Sequence, residues 1–175
     1  MNIPNKLTLL RVIMIPLFII FLIYDFVPFS DIFAIVLFVL AFFTDWLDGY
    51  IARKSNQVTN FGKIMDPLAD KVLVASAMVC LNTMGIVNPW ITIAILAREF
   101  IVSGIRIAAA ADGNVVAASM WGKLKTAWQF IAILTALLFM EKNIVVDICM
   151  WINLILTIFS GIDYILKNKD YLSYK

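Results

Sequence analysis

The sequence predicts an all-α, polytopic membrane protein with six transmembrane helices. Three observations carry that prediction. The chain of 175 residues is 63% hydrophobic, with a mean hydropathy of +0.94, whereas a soluble domain is about half apolar. Small domains leave much of their surface in water, so one core cannot hide this excess. Only 15% of residues are charged, and the apolar residues fall into six runs, each near the roughly 20 residues that cross a bilayer core of about 30 Å.

The first run, Leu7–Tyr24, follows Lys6 and contains Arg11. It has the charge pattern of a signal peptide, but the bulky, acidic Tyr24-Asp25-Phe26-Val27 offers no small-residue cleavage site, so a retained span is expected. Val27-Pro28-Phe29-Ser30-Asp31 turns the chain into the second run, Ile32–Ile51. A short basic connection leads to the third, Met65–Met84. Met84-Gly85-Ile86-Val87-Asn88-Pro89 is turn chemistry, and Pro89 suits the first turn of the fourth run, Pro89–Ala110, where its missing N–H is no loss. Asp112-Gly113-Asn114 breaks the chain before Ala117–Phe139, and Ile144–Leu166 is the sixth run. With no internal repeat or low-complexity tract, residues 1–175 read as a single compact, membrane-embedded helical domain.

Charge and residue usage exclude several functions. A net charge of +2 is too weak for nucleic-acid binding. There is no histidine, which removes a His-based triad, a His-ligated metal and a His general base. Cys80 and Cys149 lie in apolar runs without a CxxC partner and read as small buried hydrophobes. Acid–base or metal chemistry therefore falls to carboxylates, which favour hard cations such as Mg2+ or Mn2+. The first, third and fifth connections carry only Lys142. The start (Lys6, Arg11), the second connection (Arg53, Lys54, Lys63), the region around the fourth (Arg106, Lys123, Lys125) and the tail (Lys167, Lys169, Lys175) carry most of the basic residues. By the positive-inside rule both termini and the second and fourth connections are cytoplasmic.

The informative stretch is Asp45-Trp46-Leu47-Asp48-Gly49-Tyr50-Ile51-Ala52-Arg53, continuing to Gly62-Lys63-Ile64-Met65-Asp66-Pro67-Leu68-Ala69-Asp70. Asp45 and Asp48 are three apart near the cytoplasmic end of the second span, and Asp66 and Asp70 four apart at the start of the third, so each pair shares a helix face. A tight hairpin would converge four carboxylates on one pocket. Such a cluster drives its own pKa values up unless divalent cations neutralise it, and paired metals are a recurrent device in phosphoryl chemistry. The plainer reading has these acids capping helices or pairing with Arg53, Lys63 and Lys71. Four acids at helical spacing exceed what three basic neighbours require, and acids facing a membrane bundle's interior are costly and usually functional. Gly49, Ala52 and Gly62 either pack helices closely or leave a slot where a flat group approaches the backbone.

The spacing Asp45-x2-Asp48-Gly49-x2-Ala52-Arg53-x8-Gly62-x3-Asp66-x3-Asp70 resembles the signature of the CDP-alcohol phosphotransferases, with every fixed position filled. The resemblance implies that family's six-helix membrane fold, usually a homodimer. It implies that Asp45, Asp48 and Asp66 bind metal and the CDP moiety, and that Asp70 is the general base and also approaches metal. Gly49, Ala52 and Gly62 would accommodate the cytidine, with Arg53 beside the CDP-lipid. Within the family the chain most resembles bacterial members acting on CDP-diacylglycerol and sn-glycerol 3-phosphate, which implies the bacterial cell membrane as its location. That likeness runs nearly end to end, notably through residues 2–11, Arg98-Glu99-Phe100-Ile101-Val102-Ser103-Gly104-Ile105-Arg106 and Gly122-Lys123-Leu124-Lys125-Thr126.

A phosphate-bearing acceptor needs fixed cations. Arg98 and Arg106 are about two turns apart on the fourth span, close to one stripe, and guanidinium grips phosphate in bidentate fashion. Lys123, Lys125 and Lys63 could close over the same anion. Pairing of Arg98 with Glu99 is disfavoured because adjacent helix residues do not face each other. Lys6, Lys167, Lys169 and Lys175 read as interfacial anchors. Inositol phosphate, serine or phosphatidylglycerol as acceptor would keep the same aspartates. A cation transporter stays open as a different class, since intramembrane acids and a helix broken at Pro67 suit an ion path.

Overall fold

The computed structural model describes residues 3–24, 27–54, 60–111 and 119–168. They form six helices and, among the described residues, no strand: α1 (Ile3–Ile23), α2 (Ser30–Lys54), α3 (Asn60–Thr83), α4 (Pro89–Ala111), α5 (Met120–Phe139) and α6 (Ile144–Lys167). Each matches one expected apolar run, but the polar ends differ. α2 continues past Ile51 to Lys54, and α3 begins at Asn60 rather than Met65. Backbone hydrogen bonds carry a helix past the point where its side chains stop being apolar. α3 also runs unbroken through position 67, so the interrupted helix that favoured an ion path is absent.

The chain forms two compact units, Met1–Cys80 and Leu81–Lys175. In the first, α1 and α2 pack as an antiparallel hairpin. Phe29 at φ 69° and Ser30 make the turn, with Ser30 Oγ donating to the Val27 carbonyl at 2.9 Å. α1 buries Thr8, Arg11, Ile15, Phe18 and Leu22, and α2 buries Ala34, Phe38 and Ala41. Those spacings alternate three and four, the pattern that keeps one stripe facing a neighbour crossing at about 20°. Phe18 meets Phe38 at 5.8 Å between ring centroids, and Phe21 meets Phe33 at 5.5 Å. On α3 the buried stripe is Ala69, Leu73 and Ala77.

In the second unit α6 is central, packed by α4 and α5. Gly85 takes φ 75° after α3, and Ile86 N–H returns to the Leu81 carbonyl at 3.0 Å, closing the exposed helix end. Ser119 caps α5 by accepting from Gly122 N–H at 3.1 Å, two residues beyond the expected start. Asn143 caps α6, accepting from Val145 and Val146 N–H at 2.9 and 3.1 Å. The α4 stripe is Ile91, Ile95, Val102, Ile105 and Ala109; the α6 stripe is Val146, Met150, Asn153, Thr157, Ser160 and Tyr164. Trp121 stacks edge-on against Phe159 at 4.7 Å, and Trp128 Nε1 donates to the Cys149 carbonyl at 3.2 Å, which fixes α5 antiparallel to α6.

Outside these stripes, large hydrophobics are exposed on every helix, among them Leu10, Phe43, Val72, Phe100, Leu138 and Ile155. Water would not tolerate so extensive an apolar surface. Among the described residues, two helices meet the length and composition needed to cross a bilayer, within Lys6–Ile23 and Ile144–Lys167. The molecule is a membrane protein.

Candidate active site

On α2 the packing stripe Ala34–Phe38–Ala41 continues to Asp45. The first carboxylate is therefore delivered by the same spacing that holds α2 on α1. On α1 the stripe continues in the opposite direction from Phe18 through Ile15 to Arg11. Arg11 and Asp45 each stand about two turns beyond the Phe18–Phe38 contact. There the Arg11 side chain is completely buried, and its Nη1 donates to Asp45 Oδ1 at 2.7 Å. The Asp45 side chain is 36% exposed, so the pair lies at the edge of the apolar contact rather than deep within it. Arg11, which charge distribution assigns only to topology, is instead the partner of a signature aspartate. Its register with Ile15, Phe18 and Leu22 was a signal that could have found it.

Asp70 is half-buried beside the Ala69–Leu73–Ala77 stripe of α3. Counting from the helix ends that flank the connection, Asp45 lies about 14 Å along α2 and Asp70 about 15 Å along α3. Asp48 and Asp66 each lie about 9 Å along by the same rise. Both pairs thus lie inside their helices, and those on α3 lie deeper than its expected start at Met65 implied. The side chains of Asp48, Gly49, Ala52, Arg53, Gly62, Lys63 and Asp66 lie outside the described residues, although their backbones are helical. Among the described residues no group of three potential metal ligands comes together. The donor chemistry, carboxylate oxygens without histidine or thiolate, fits a hard divalent cation.

The second unit holds four of the five cations expected for an acceptor phosphate, Lys63 belonging to the first. Arg98 occupies the α4 packing stripe between Ile95 and Val102 and is half-buried. Its Nη2 donates to Ser160 Oγ of α6 at 3.1 Å, and Ser160 Oγ in turn donates to the Thr157 carbonyl at 3.2 Å. Arg98 Nη1 lies 3.5 Å from Glu99 Oε1, so the neighbour pairing that helix geometry disfavours does form. A guanidinium is long enough to curl back along its own helix. The second cation drawing Glu99 is Lys125 of α5, whose Nζ bonds Glu99 Oε1 and which is 1% exposed. Ser103 Oγ donates to the Glu99 carbonyl. Glu99 is the centre of this network, a role that residue spacing did not assign; a carboxylate inside an apolar span was the available signal.

Arg106 does not share the Arg98 stripe. Eight residues rotate a helix by about 80°, and Arg106 is exposed, its guanidinium 5.6 Å from the Tyr164 ring. Lys123 is exposed near the start of α5. Arg98 is also enclosed by small residues: a Cβ on Gly161 would come 3.2 Å from its Cγ, and one on Gly122 3.8 Å from its Nη2.

An all-helical membrane chain with one pair of signature aspartates on each of two consecutive helices fits a lipid-processing transferase. The family model for CDP-alcohol phosphatidyltransferase matches residues 1–159, and the chain belongs to that family. Its relatives include proteins named CDP-diacylglycerol–glycerol-3-phosphate 3-phosphatidyltransferase. The one from Bacillus subtilis (strain 168) is 41% identical over 185 residues, covering 97% of this chain and 96% of the relative. Those from Rickettsia typhi (strain ATCC VR-144 / Wilmington) and Escherichia coli (strain K12) are 42% and 41% identical. They span 97% and 94% of this chain, and 98% and 93% of their own lengths.

Proposed function

We propose that this protein transfers the phosphatidyl group of CDP-diacylglycerol to sn-glycerol 3-phosphate, releasing phosphatidylglycerophosphate and CMP. The observation that carries the proposal is identity of about 41% along nearly the whole chain to relatives named for that reaction. The filled aspartate signature supports it. So does a half-buried arginine, Arg98, set between α4 and α6 beside Lys125, since a dianionic acceptor requires fixed cations.

Asp45, Asp48, Asp66 and Asp70 would hold divalent metal, Mg2+ or Mn2+, which when bound neutralises charge on the diphosphate and on departing CMP. The main-chain slot at Gly49, Ala52 and Gly62 admits cytidine, with Arg53 beside it. Asp70 accepts the proton of the acceptor's 1-hydroxyl. That oxygen forms the new bond to the phosphorus bearing diacylglycerol, and the bond from phosphorus to the CMP oxygen breaks. Direct transfer is favoured, because no histidine exists and neither cysteine lies in the signature. Arg98 grips the acceptor phosphate, with Arg106, Lys123 and Lys63 adding charge. Lys125, already committed to Glu99, contributes by holding that carboxylate and through it the Arg98 guanidinium.

The chain acts as one catalytic domain of six spans in a bacterial cell membrane, as a homodimer, with its site on the cytoplasmic side. Exposed Lys6, Lys123 and Lys167 support that orientation. The test is CMP release by purified protein given CDP-diacylglycerol with glycerol 3-phosphate, serine, inositol phosphate or phosphatidylglycerol. Turnover with glycerol 3-phosphate alone is expected; activity only with another alcohol would overturn the acceptor assignment. Asp70→Asn should remain folded and lose turnover, and near-normal CMP release from it would sink the role given to Asp70.

A further inference from the structure

A guanidinium with no exposed side-chain surface is an expensive thing to place among apolar helices, and it is retained only where it is paired. Arg11 is such a group. It replaces an apolar residue in the stripe Ile15–Phe18–Leu22, and Thr8, also fully buried, lies one turn before it. Its Nη1 reaches Asp45 Oδ1 at 2.7 Å, within the range of a charge-assisted hydrogen bond. The aromatic contact of Phe18 with Phe38 and the ion pair lie on the same two stripes, so the register that seats the rings also brings Arg11 within reach of Asp45.

We infer that Arg11 is the positioning residue for Asp45: bonded to Oδ1, it fixes the orientation in which that carboxylate meets a divalent cation. The inference rests on the proposal that Asp45 is a metal ligand. An aspartate carboxylate turns on two torsions, and here the bond from Arg11 to Oδ1 restricts both in a side chain that is 36% exposed. Hydrogen-bonded partners of metal ligands restrict that freedom, and losing one commonly lowers metal affinity by about 10- to 100-fold. Electrostatics alone predicts the opposite sign, since removing a positive charge makes the site more attractive to a cation. The direction of the effect therefore separates positioning from simple charge competition.

The experiment is Mn2+ binding to detergent-purified protein, read by the loss of the free-ion paramagnetic resonance signal, for wild type, Arg11→Met, Arg11→Lys and Asp45→Asn. Helix content and thermal midpoint are recorded on the same samples. The expected result is about 10- to 100-fold weaker binding in Arg11→Met. Arg11→Lys should be intermediate, since it keeps the charge but not the planar fork. At saturating metal both Arg11 variants should regain wild-type kcat for CMP release. Unchanged or tighter Mn2+ binding in Arg11→Met, with Asp45→Asn weakened, would overturn the positioning role and leave Asp45 as a ligand. Wild-type affinity in Asp45→Asn would overturn the ligand assignment itself. Should Arg11→Met fail to fold, Arg11→Lys decides: wild-type affinity in that folded variant overturns the inference.

Discussion

Arg98 illustrates how a charged residue is built into an apolar helix. It takes a stripe position on α4, hydrogen bonds Ser160 on α6 and shares Glu99 with Lys125 on α5, so all three helices of the second unit hold it. Gly161 is the condition for that placement, because a methyl there would press on Arg98 Cγ at 3.2 Å. Gly161→Ala should raise KM for glycerol 3-phosphate about fivefold to thirtyfold by displacing a charge-assisted hydrogen bond worth roughly 1–2 kcal/mol. KM for CDP-diacylglycerol should not change. Gly104, where an added methyl would meet nothing within 4 Å, is the control. Gly104→Ala should leave both constants alone and stabilise α4 by up to about 1 kcal/mol. Steady-state kinetics and thermal unfolding in detergent measure both variants.

At the scale of elements, the same alternating spacing serves packing and chemistry. Ala34, Phe38 and Ala41 seat α2 on α1, and the next stripe position is Asp45. Ala41→Leu should overpack this contact, cost about 1–3 kcal/mol and weaken metal binding by separating Arg11 from Asp45. Thermal unfolding and Mn2+ titration would detect the two effects together. The α6 cap offers a contrast. Asn143→Ala removes an acceptor from two backbone N–H groups, so it should cost about 1 kcal/mol without altering either KM. The six helices were legible as apolar runs. Their ends at Lys54 and Asn60 were not, because hydropathy reports the membrane's solvent preference while the helix itself is held by backbone bonds.

At the scale of the molecule, exposed hydrophobics on all six helices describe a surface suited to lipid or to a second copy. In a background with Cys80 and Cys149 replaced by alanine, Lys142→Cys should react with an impermeant thiol reagent added to intact cells. Lys123→Cys should react only after the membrane is opened. The reverse pattern would invert the topology. Chelation should abolish CMP release, and added Mg2+ or Mn2+ should restore it.

The chain's composition by itself determined a helical membrane protein, and the spacing of Asp45, Asp48, Asp66 and Asp70 determined which carboxylates share a helix face. Both properties are local: a span needs about 20 apolar residues, and a shared face needs only the right spacing. Tertiary structure alone decided which basic residue answers which acid. Arg11 meets Asp45 across a hairpin, and Lys125 meets Glu99 across two helices. Such partners depend on the register between packed stripes, which side-chain interlocking sets.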